Sequence, residues 1–108
     1  MELNIYQETA LKNKVYGEGI AIIYPTIKLN GEAGEVAEKV GKTLRDKEGV
    51  FTDEIKLEIA KELGDVLWYI SALAQDLGYT LEEVGQLNID KLESRTKRNM
   101  IHGEGDNR

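Results

Sequence analysis

Apolar residues recur at helical spacing through most of the chain, and the interruptions divide it into four stretches. Leu3, Tyr6, Ala10 and Leu11 predict a short helix within residues 3 to 15, before Gly17 and Gly19 break the pattern. Residues 20 to 24 are too short for more than a connector, and Pro25 suits the first turn of a second helix reaching about residue 46. Its buried stripe is predicted to be Leu29, Ala33, Val36, Ala37, Val40 and Leu44. Lys47-Glu48-Gly49-Val50 reads as a turn, so the next helix returns antiparallel to the second. That third helix opens at Thr52 or Asp53 and runs to about Leu77, with Ile55, Ile59, Leu63, Val66, Ile70, Leu73 and Leu77 in steps of four and three. Gly78 ends it, Thr80-Leu81-Glu82-Glu83 forms a capping box, and a fourth helix extends to about Arg98. The pattern predicts an all-α fold, a helical bundle of about four helices per chain.

Beside the core stripes runs a polar one. Glu32 and Glu35 are three residues apart, as are Glu62 and Asp65, so each pair occupies one face of its helix, one turn apart. Folding the second and third helices against each other would bring the four acids together. Converging carboxylates repel, and a hard cation such as Mg²⁺ or Mn²⁺ is what most readily makes the arrangement favourable. One E-x-x-E pair alone is ordinary surface charge. Here Gly31, Gly34 and Gly64 lie in or beside the pairs, at about 1 kcal/mol each relative to Ala in a helix interior, and close backbone approach around a ligand would account for them. Glu58 and Glu38 extend the ladder on either side.

The bound ion would bridge polyphosphate oxygens and acidify a coordinated water, with a carboxylate taking the proton. Glu35 is the preferred base, though spacing alone does not choose among the four. Phosphates need cationic partners. Lys91 and Arg95 share a helical face and form a candidate clamp, with Asn88 one turn earlier as a neutral donor. The same residues also read as a solvated helix end whose cations complement the dipole. Lys39, four after Glu35, and Tyr69, four after Asp65, are further substrate-binding candidates. Trp68 lies roughly 140° around the helix from the Leu63 line, which predicts a subunit interface or a base-stacking wall.

At 108 residues and 12.1 kDa the chain is one domain, near the size at which oligomerisation commonly adds burial. The absence of cysteine excludes disulfide scaffolds and thiolate metal sites, and a cytoplasmic location is expected. No apolar run approaches a membrane span, and a net charge of -6 argues against a nucleic-acid polymer as partner.

Taken together, Tyr24-Pro25, Gly31-Glu-Ala-Gly-Glu35, Glu62-Leu-Gly-Asp65, the Asn88 to Arg95 segment and His102-Gly-Glu-Gly-Asp-Asn-Arg108 resemble the MazG-like nucleotide pyrophosphohydrolases, over about 80 residues. That family pairs an E-x-x-E segment with an E-x-x-D segment, matched here by Glu32, Glu35, Glu62 and Asp65. The resemblance implies Mg²⁺-dependent cleavage of a nucleoside triphosphate to monophosphate and pyrophosphate, on a bundle usually completed by a second subunit. The expected assembly is therefore a homodimer or homotetramer. Residues 1 to 101 would form the family domain and 102 to 108 a polar tail that contacts substrate. From another class comes a non-catalytic helical oligomerisation or metal-binding module, which metal-dependent pyrophosphate release would distinguish.

Overall fold

The computed structural model describes residues 1–98; the expected tail lies outside them. Four α-helices appear in chain order: α1 Leu3–Ala10, α2 Ile23–Asp46, α3 Asp53–Asp76 and α4 Leu81–Lys97. Short 3₁₀ turns at Leu11–Asn13 and Glu18–Ile20 occupy the connection between α1 and α2. No strand occurs among the described residues. No described helix is long and apolar enough to cross a membrane.

Local chemistry explains where the helices begin and end. The Thr52 side chain accepts from the Ile55 amide and opens α3, while Thr80 and Glu83 complete a reciprocal capping box at α4. Gly78, at φ 87°, supplies the left-handed residue that stops α3. The α2–α3 turn passes through two left-handed residues, Glu48 at φ 55° and Gly49 at φ 72°. The amides of Lys47 and Gly49 both donate to the Thr43 carbonyl, satisfying the end of α2.

The most extensive packing is between α2 and α3, an antiparallel hairpin. The tightest burial lies elsewhere, around the C-terminal half of α3. Ser71, Ala72 and Ala74 are buried there, small enough for α1 to approach, and Leu11 and Leu81 are buried with them. Gln7 ties this region together: its amide nitrogen donates to the carbonyls of Ser71 and Tyr79, and its oxygen accepts from the Leu81 amide. A buried amide with both ends satisfied fixes the register of α1 against the α3–α4 corner.

The hairpin covers less apolar surface than the periodicity predicts. Leu29, Val36 and Val40 are half-buried in the seam, whereas Ala33, Ala37 and Leu44 are exposed, Leu44 at 62%. Likewise Leu63 on α3 and Leu77 just past its end are about half exposed. Two helices cover only one face of each other, so an apolar band wider than that face stays open within one chain. Open space lies where a Cβ would stand on Gly31, Gly34 or Gly64, so no packing within the chain requires glycine there. Within the chain the half-buried Trp68 donates its Nε1 to the Ala10 carbonyl at 3.0 Å, so the indole meets the end of α1.

Candidate functional site

The hairpin register carries the acids to one place. Lys39 on α2 pairs with Glu58 on α3 at 3.3 Å, and further up the seam Glu32 comes level with Glu62 and Asp65. One carboxylate oxygen from each of Glu32, Glu62 and Asp65 lies within 4.8 Å of the other two. Glu32 and Glu62 are half-buried and Asp65 is exposed, so the cluster opens to solvent on one side. Three oxygen donors, with no histidine or thiolate among them, suit a hard divalent cation. Mg²⁺ is octahedral, so an ion held by one oxygen from each of the three would keep positions open for water.

Glu35, the fourth expected ligand, stands apart from that trio. It is exposed and lines an adjoining groove with Glu38, Lys39, Lys42 and Glu62. Glu38 is occupied by Lys42 at 3.0 Å, one turn along the same helix, and that ammonium holds its carboxyl below the usual carboxylate range. Lys39 reaches across to Glu58 instead of pairing along α2 with Glu35. Its cation is therefore held beside the acids by a carboxylate from the facing helix.

Aromatic side chains also border the cluster. Tyr69 follows Asp65 by one turn, and burial raises its hydroxyl pKa, with Tyr24 and the carboxylates of Glu32 and Asp65 adding to the shift. Tyr24 meets the Tyr69 ring edge-on at 6.5 Å, Trp68 meets it at 4.9 Å, and the Lys28 ammonium lies 5.9 Å from its centroid. Tyr6 from α1 also feels Asp65, its pKa raised by burial and then by that charge. Sequence spacing marked Tyr69; it gave no role to Tyr24 or Lys28, and Tyr6 reaches the site only through the packing of α1.

The remaining candidates are on α4. Asn88 and Lys91 line a groove with Val84, Gly85 and Leu87. Arg95 is buried at 6% exposure, so the shared helical face predicted for Lys91 and Arg95 has one member facing solvent in part and one packed inside. α4 itself packs on α1 and α3.

Comparison with known proteins agrees with this geometry. The chain is 46% identical to Gene 37 protein of Mycobacterium phage L5 over 116 aligned positions that take in the whole of both chains. No solved structure matches it. Residues 26–100, the stretch that contains both acidic pairs, match the MazG nucleotide pyrophosphohydrolase domain, and the chain belongs to that hydrolase family.

Proposed function

We propose that the protein is a Mg²⁺-dependent nucleoside triphosphate pyrophosphohydrolase, releasing a nucleoside monophosphate and pyrophosphate. The convergence of Glu32, Glu62 and Asp65 from two helices carries this reading, because their ligand oxygens lie within 4.8 Å of one another despite their separation in sequence. These three would hold the ion, with Mn²⁺ an acceptable substitute. When bound, it supplies charge neutralisation for the triphosphate and a water of lowered pKa.

The protein's own groups supply the rest. Glu35, exposed at the edge of the cluster, takes the proton of the attacking water on a carboxylate oxygen. Lys39, held by Glu58, places a cation where phosphate charge gathers. Tyr69 and its aromatic neighbours form a half-buried wall beside the acids. Asn88 and Lys91 complete the phosphate contacts if α4, from this chain or another copy, closes over the substrate, while Arg95, packed inside, supports the helix that carries them.

A second copy also answers the open apolar band. On α2 the exposed residues Ile23, Ile27, Asn30, Gly34, Ala37, Gly41 and Leu44 fall in alternating steps of four and three. That is the spacing of a helix–helix seam, and its small central residues permit close approach. The functional assembly is accordingly a homodimer or homotetramer.

A screen of common nucleotides with Mg²⁺, reading pyrophosphate, tests the reading. At least one triphosphate should be cleaved, with turnover abolished by excess chelator. Metal binding with no turnover on any nucleotide would favour a non-catalytic module.

A further inference from the structure

One carboxylate outside the acid cluster gathers the whole connection ahead of α2. Asp76, the last residue of α3, has a side chain only 4% exposed. It accepts from Lys14 Nζ at 3.2 Å, from the Tyr16 hydroxyl at 2.9 Å and from the Ile22 amide at 2.9 Å. The Ile22 backbone is strained: at φ 69° and ψ -55° it forms a γ-turn of the rarer hand, closed by the Ile23 amide on the Ala21 carbonyl at 2.7 Å. A β-branched residue adopts that region only where its surroundings enforce it. Here the Ile22 amide is held by Asp76, while its carbonyl accepts from the Thr26 amide at 3.1 Å and the Thr26 hydroxyl at 2.6 Å. Between the anchors, the Glu18–Ile20 3₁₀ turn is closed by the Ile20 and Ala21 amides on the Gly17 and Glu18 carbonyls, and open space lies where a Cβ would stand on Gly17 or Gly19.

The strap leads to the site. The Tyr16 ring packs on Tyr24 at 5.2 Å, Tyr24 meets Tyr69 at 6.5 Å, and Tyr69 stands one turn from Asp65. We propose that Asp76 is a positioning residue that latches the strap of residues 14 to 22 and, through Tyr16, holds Tyr24 and Tyr69 as the wall of the substrate cleft. The kinetic consequence rests on the pyrophosphohydrolase reading; the latch itself does not. Releasing it loosens the wall while leaving the acids in place, so substrate binding weakens and the metal site is spared.

Asp76→Asn and Tyr16→Phe in the full chain test this, the second keeping the ring contact with Tyr24 and removing only the latching hydroxyl. In both, hydrogen exchange at the Ile22 amide should accelerate and the ring resonances of Tyr24 and Tyr69 should shift. KM should rise about tenfold in Asp76→Asn and about threefold in Tyr16→Phe, with kcat and Mn²⁺ affinity within about twofold of wild type. Faster exchange at Ile22 with unmoved Tyr24 and Tyr69 resonances and an unchanged KM would overturn the proposal. So would a parallel loss of Mn²⁺ affinity, which would mean general distortion. If Asp76→Asn does not fold, Tyr16→Phe carries the same test. If the wild type cleaves no nucleotide, the functional reading fails, and the latch stands or falls on whether the two ring resonances follow the Ile22 amide.

Discussion

Burial works to raise the Asp76 carboxyl, but the Ile22 amide, the Tyr16 hydroxyl and the Lys14 ammonium outweigh it, and the net pKa is lowered from 3.8. A carboxyl whose folded pKa lies below its unfolded value adds stability that is fully present above the unfolded pKa and is lost as pH falls through the folded one. The wild type should therefore shed this stability as pH drops below about 3.9. Asp76→Asn, already lacking the charge, should show a flatter acid limb in melting temperature against pH, and parallel limbs would contradict the latch. At this scale the sequence was legible where residues share a helix: Glu62 and Asp65 face one way because of their spacing, as do Asp65 and Tyr69. The Asp76 latch and the approach of Tyr6 to Asp65 were not, because they join residues about 60 positions apart, where no spacing carries a signal.

Helix boundaries followed the sequence closely, since caps and turns are local chemistry. Thr52, Gly78 and the Thr80–Glu83 box act where their types predict. The α2–α3 turn offers a test in which neighbouring residues respond oppositely. Glu48 sits at φ 55° beside the negative end of α2, so Glu48→Asn should raise stability by up to about 1 kcal/mol. Gly49 at φ 72° has the Leu44 side chain 3.4 Å from where a Cβ would be, and Gly49→Ala should cost about 1 kcal/mol or more. Denaturant melts of the two variants would show midpoint shifts of opposite sign. What periodicity could not supply was how wide a face each helix covers. Leu29 and Leu44 look equivalent in sequence, yet only Leu29 lies in the seam, because one chain provides a partner for one side of α2.

For the whole molecule, the exposed line on α2 predicts association. Light scattering at micromolar concentration should give a mass at least twice the 12.1 kDa chain, and Ala37→Glu, a charge set in that line, should shift it toward the monomer. A wild-type mass of one chain would remove the seam from the account. The central claim is that folding joins two distant acidic segments into a catalytic metal site, which makes metal occupancy and global stability inseparable. Thermal melting of Asp65→Asn with and without Mg²⁺, beside pyrophosphate release per folded molecule, tests this most directly. Removing one of the clustered charges should leave the metal-free melting temperature unchanged or higher, shrink the stabilisation by Mg²⁺, and cut turnover by about two orders of magnitude or more. A metal-free variant that melts lower, gains as much from Mg²⁺ as the wild type and turns over nearly normally would contradict the account.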